Sequence, residues 1–131
     1  MKIINPESLG RPRGYANGVL TDADGRLLFV AGQIAWDENQ RLVGDDFVEQ
    51  FERALSNVLA VVSAAGGAAE HIARLTVYVT DKREYLARTR EVGERFRALM
   101  GTHYPAMSLV EVKSLLEDGA KIEIEATAVL P

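Results

Sequence analysis

Apolar residues recur along this chain with two different periods, and the switches between them outline the fold before any motif is read. From Asp46, "DFVEQFERALSNVLAVVSAAGG" places Phe47, Phe51, Ala54, Leu55, Val58, Leu59 and Val62 at helical spacing, and Gly66-Gly67 supply a stop. The next apolar segment, "HIARLTVYVT", alternates instead. Ala73, Leu75, Val77 and Val79 fall on one side and Arg74, Thr76 and Tyr78 on the other, the period of a strand. A second helix is expected from about Lys82 to Met100, with Tyr85, Val92, Phe96 and Leu99 as its buried stripe. "MSLVEVKSL" and "KIEIEATAVL" read as two closing strands. In the last, Glu123, Glu125 and Thr127 share one face while Ile122, Ile124, Ala126 and Ala128 share the other. Near the start, "GVLTDADGRLLFVAGQIAW" sets Asp24-Gly25 between two strand-like runs, a hairpin pattern, and Lys2 to Ile4 reads as a further short strand.

The order β-β-α-β-α-β-β implies a single α+β domain over residues 1–131, a mixed sheet with two helices on one face. Its other face is unusual. Tyr78, Thr76, Leu109, Glu111 and Glu123 are expected there, a mixture too apolar for open water and too polar for a core. A face of that kind meets another subunit, so an oligomer is expected.

Composition narrows the chemistry. Apolar residues at 47% with 26% charged describe a soluble globular chain. The net charge of -4 opposes a phosphate-backbone binder, so no nucleic-acid partner is expected. With no cysteine there are no disulfides, thiolate nucleophiles or Cys-ligated zinc. No apolar run is long enough for a signal peptide or a membrane span, which leads us to expect a cytoplasmic protein without a membrane partner. The two histidines, His71 and His103, lack ligand spacing, so no metal site is expected. No Gly-x-Ser-x-Gly elbow or phosphate-cradling loop occurs; "AAGGAAEH" follows a helix and reads as its cap.

The blocks "GYANGV", "LFVAGQI", "NVLAVVSAAGG", "LTVYVTD", "YPAMSLVEV" and "KIEIEATAV" stand in the order and at the spacing of one family. In them the chain resembles the YjgF/YER057c/UK114, or RidA, reactive-intermediate deaminase family from about Tyr15 to Val129. The resemblance implies a chorismate-mutase-like α+β domain. Three such subunits would pack their sheets into a trimeric barrel with clefts between neighbours. It also implies hydrolysis of 2-imino acids or their enamine tautomers to keto acids and ammonia, without a cofactor. An imine carbon is already electrophilic, so the protein need only hold it and position one water.

Site residues carry over position by position. Glu123 matches the glutamate that handles the water, and Tyr15 the tyrosine whose hydroxyl closes the cleft. Gly32 matches backbone that approaches the ligand, and Tyr85 an aromatic lining it. Departures are as informative. Where the family reads Pro-Ala-Arg-Ser this chain has Pro105-Ala106-Met107-Ser108, so the arginine that forks a substrate carboxylate is Met107. Ala31 replaces a serine, Leu109 a cysteine and Thr89 an asparagine. Arg11 and Arg13, just before Tyr15, are candidates to return a cation to the cleft. With Met107, Leu109, Ala31 and Trp36 around it, the cleft is expected to suit a larger, more apolar enamine or imine, such as an aminomuconate-type intermediate. The alternatives are a binding module for a small apolar metabolite and a chaperone-like role. A further one is ribonuclease activity, the older description of some relatives, which the charge opposes.

Overall fold

The computed structural model describes all 131 residues. Strand β1 (Lys2–Ile4) pairs antiparallel with β2 (Gly18–Leu20) as a small ribbon. Next come β3 (Arg26–Gln33), helix α1 (Phe47–Ala64), β4 (Ile72–Val79), helices α2 (Lys82–Ala87) and α3 (Thr89–Met100), then β5 (Ala106–Glu111) and β6 (Ile122–Leu130). The main sheet runs β3–β6–β4–β5. Its β3–β6 and β4–β6 pairs are antiparallel and β4–β5 is parallel, joined by the α2–α3 crossover. The expected mixed α+β sheet with its helices on one face is present.

Period explains where the core sits. Phe47, Phe51, Ala54, Leu55, Val58 and Val62 of α1 are buried against Leu75, Val77 and Val79 of β4 and Ile122, Ile124 and Ala126 of β6. Each large side chain so buried contributes about 1.5–3 kcal/mol. Asp46 caps α1 by accepting from the Glu49 amide at 3.0 Å, and Gly66, at φ +88°, ends it. One polar side chain lies within this core. Gln50, fully buried, donates to the carbonyls of Gly44 (2.7 Å) and Gly119 (3.0 Å) and accepts from the Lys121 amide (2.9 Å). It thereby fixes the loop that leads into β6.

Three expectations need correction. The Asp24-Gly25 turn forms no β2–β3 hairpin: β2 pairs with β1, and β3 pairs with β6. Gly25 is required for another reason, since a Cβ there would meet Val129 Cγ1 at 2.5 Å. The single helix expected over 82–100 is broken at Arg88 (φ −130°, ψ 27°), giving three helices rather than two. Neither Gly nor Pro marks the break. Arg88 is instead tied to Glu91 and to Asp46, the cap of α1, at 3.0 Å. Lastly, Leu109 and Glu111 lie on the helix side of the sheet, not its open face. The parallel register pairs them with the inward-facing Val77 and Val79.

Candidate functional site

The residues singled out in the sequence gather at two places, one on each face of the sheet. On the helix side a cavity of about 520 Å³ opens between β5, α2, α3 and the segment 13–15. Met107 and Leu109 form its floor with Val77, all three on the inward side of β4 and β5. Tyr85 reaches it from α2, and the break at Arg88 sets α2 and α3 at different angles around it. Tyr15 arrives because the Ala16 amide donates to the Pro105 carbonyl at 2.9 Å, pinning the N-terminal segment beside the start of β5. Arg13 lines the same cavity and also a more open neighbouring depression that Arg11 shares. Trp36 is elsewhere, in a short bridge with Leu42, and lines no part of either.

On the open face, Glu123 is half-buried on β6, in register with Tyr78 of β4. A bulge in β3 sets Ala31 and Gly32 opposite a single residue of β6. Gly32 then comes so close to Glu123 that a Cβ would stand 2.8 Å from its carboxyl carbon. Two glutamates share this face and differ in one respect. Glu125 accepts from the Tyr78 hydroxyl at 2.8 Å, and that bond, followed by burial, raises the Tyr78 pKa. The Glu123 carboxylate accepts no hydrogen bond within the chain. A half-buried carboxylate without a partner has its lone pairs free for water or substrate. The same face also carries apolar side chains in the open, Leu27 and Phe29 on β3 and Val110 on β5, which are 63%, 74% and 43% exposed.

Sequence reading missed several cavity residues. Phe51, Phe96 and Tyr104 form its inner wall, with the Phe96 and Tyr104 rings stacked at 5.4 Å. Gly93 and Arg97 extend the line of Thr89 along α3. Their signal was a spacing of four, Tyr85-Thr89-Gly93-Arg97, with a glycine inside a helix where its propensity is poor.

The family model described as Endoribonuclease L-PSP matches residues 9–130. A 2-iminobutanoate/2-iminopropanoate deaminase of Salmonella typhimurium is 38% identical over 105 residues, 80% of each chain. Among solved structures, the Rid-family protein YyfB of Yersinia pestis superposes with a TM-score of 0.87 at 34% identity, covering 98% of both chains. TdcF of Escherichia coli, solved with bound serine, gives 0.71 at 34% identity over the full length of both.

Proposed function

Because the chain belongs to the RidA/YjgF family, we propose that it hydrolyses the C=N bond of an imine or enamine, releasing ammonia, in clefts shared between subunits of a homotrimer. One observation carries this reading: Glu123, an unpartnered carboxylate, stands beside Gly32 on a sheet face that leaves Leu27, Phe29 and Val110 exposed. The Met107–Leu109 cavity opens on the other face of the same sheet, so one chain cannot bring both to a single ligand. A neighbouring copy, seated on the face that bears Phe29, brings its own cavity to this Glu123.

The chemistry asks little of the protein. Glu123 takes a proton from a water whose oxygen bonds to the imine carbon. Glu123 returns that proton to the nitrogen of the resulting carbinolamine, the hydroxyl oxygen forms C=O as the C–N bond breaks, and the hydroxyl proton passes to the departing ammonia, leaving ketone and ammonium. Tyr15 at the cavity rim, 39% exposed, donates to the substrate. Met107 offers no hydrogen-bond donor, so the floor favours a larger and more apolar body than 2-iminopropanoate.

The test measures ammonia and keto-acid release, above the spontaneous rate, from imines generated in situ with small and aromatic side chains. Wild type should favour the larger substrates, and Glu123→Gln should lose about a hundredfold or more in kcat, the usual worth of a positioned general base. Met107→Arg should gain activity on 2-iminopropanoate. Turnover unaffected by Glu123→Gln would sink the mechanism; binding without turnover in wild type would leave a metabolite-binding module.

A further inference from the structure

On α3 and at its N-cap the arginines are paired with one exception. Arg88 is held by Glu91 and Asp46, Arg90 by Glu94, and Arg95 by Glu52. Arg97 makes neither a salt bridge nor a side-chain hydrogen bond. Its guanidinium instead lies back along the helix across Gly93, where a Cβ would stand 3.2 Å from Nη1. Any larger residue at 93 would push the guanidinium aside. Both residues line the cavity, and Arg13, likewise without an ion pair, lines it from the N-terminal segment. No carboxylate is among the lining residues. Two guanidinium groups without an ion pair in their own chain thus share a cavity whose apolar walls include Phe51, Val77, Phe96, Tyr104, Met107 and Leu109.

We propose that Arg97, with Arg13, is the anion anchor of this cavity, and that its ligands are monocarboxylates with an apolar, ring-sized body lying over Met107 and Leu109. Guanidinium groups fork carboxylates with strong charge-assisted bonds, and apolar walls around the pair raise its worth. The carboxylate then sits against α3 instead of over β5, which moves the body of the ligand onto the apolar floor. A volume of about 520 Å³ is ample for a phenyl ring with a short acid chain. This rests on the deaminase reading for its biological sense, since it names the substrates as imines or enamines of aromatic acids. The binding itself stands apart from turnover.

The experiment uses two unreactive, near-isosteric probes, 3-phenylpropionate and 3-phenylpropionamide, titrated calorimetrically into the full-length protein at pH 7. Variants are Arg97→Gln, Arg97→Lys, Arg13→Gln and, as a surface control, Arg90→Gln. The acid should bind at least about tenfold tighter than the amide, the worth of one charge-assisted hydrogen bond. Arg97→Gln should erase that preference, Arg97→Lys keep part of it, and Arg13→Gln reduce it. Arg90→Gln, a surface change, should leave it intact. Equal affinity for acid and amide, no binding of the acid, or an Arg97→Gln variant that binds it as wild type does overturns the anchor. Failure of the two readings is distinguishable. Imine hydrolysis with a KM insensitive to Arg97→Gln removes the anchor and keeps the deaminase, whereas acid-selective binding without hydrolysis does the reverse.

Discussion

Gly32 and Glu123 approach more closely than any other residue type at position 32 would allow: a Cβ there would stand 2.8 Å from Cδ and Oε1 of the glutamate. What it would meet is the free end of a side chain, not backbone, and Gly32 does not occupy the left-handed region. The fold can therefore accept alanine while the carboxylate cannot stay where it is. Gly32→Ala should melt within a few degrees of wild type, as substitutions away from the core do. Its deaminase activity should fall nearly as far as that of Glu123→Gln. A paired thermal melt and imine assay checks this, and full activity would show that the position of Glu123 does not matter.

Gln50 gives the opposite pattern, with a large effect on stability. Its amide holds Gly44, Gly119 and Lys121 from within the core, and all three bonds vanish in Gln50→Leu. Two of the freed groups are carbonyls of exposed glycines that water can reach, so the loss should be about 2–4 kcal/mol, below the full penalty for three orphaned groups. Urea unfolding measures it. A midpoint unchanged from wild type would mean that the loop before β6 has other anchors.

How much of this was legible beforehand depended on what encoded it. Alternation in "KIEIEATAVL" put Glu123 and Glu125 on the open face, where they are, because burial of every second residue leaves a period in the sequence. It did not distinguish them, since the Tyr78 hydroxyl that engages Glu125 comes from a strand 47 residues away. The turn at Asp24-Gly25 was legible but its partner strands were not: pairing is set by which edges remain free, a property of the whole sheet. The break at Arg88 left no Gly or Pro. It is held by an ion pair to Asp46, 42 residues distant, which no local propensity reports. Pattern alone misplaces Leu109 because "MSLVEVKSL" is apolar at both phases, and only the register with β4 resolves them. The cavity's Gly93 and Arg97 were readable as a spacing of four, but a lone helical glycine has no meaning until its neighbours are known.

Acid should weaken the fold through the cluster at Arg88. The Glu49 amide and then Arg88 hold the Asp46 carboxyl below its ordinary value of 3.8, and Arg88 lowers that of Glu91 as well. A carboxyl whose folded pKa is depressed contributes stability that is complete above its unfolded pKa and is lost as pH falls through the folded one. Stability should therefore hold near neutrality and decline as the pH drops below about 4. The decline should be shallower in Asp46→Asn, which keeps an N-cap but has no proton to take up. Chemical denaturation from pH 7 to pH 2 measures both slopes. Identical slopes would assign the acid sensitivity to other groups.

Phe29 tests the interface. At 74% exposure it stands in solvent in a single chain, so Phe29→Asp removes almost no intramolecular packing. In an assembly it would bury an unpaired charge beside Leu27 and against the partner. Wild type should sediment as a trimer and Phe29→Asp as a folded monomer with native circular dichroism. The monomer should lack deaminase activity although Glu123 and the cavity are both untouched. An active monomer would mean that each chain completes its own site.

Shared clefts make a stronger prediction still. Suppose Glu123→Gln abolishes the water-handling half and Gly93→Phe fills the cavity half, the phenylalanine displacing only the flexible end of Arg97 near its Cβ. Each variant alone is then inactive in every cleft of its trimer. If the two are unfolded, mixed in equal amounts and refolded, chains assort at random among trimers. A cleft is intact only when its glutamate comes from a Gly93→Phe chain and its cavity from a Glu123→Gln chain. Each condition holds half the time, so about a quarter of wild-type activity should return, and none should return if the variants are mixed without exchange. A site completed within one chain would give no recovery in either case, since every chain in the mixture carries a lesion.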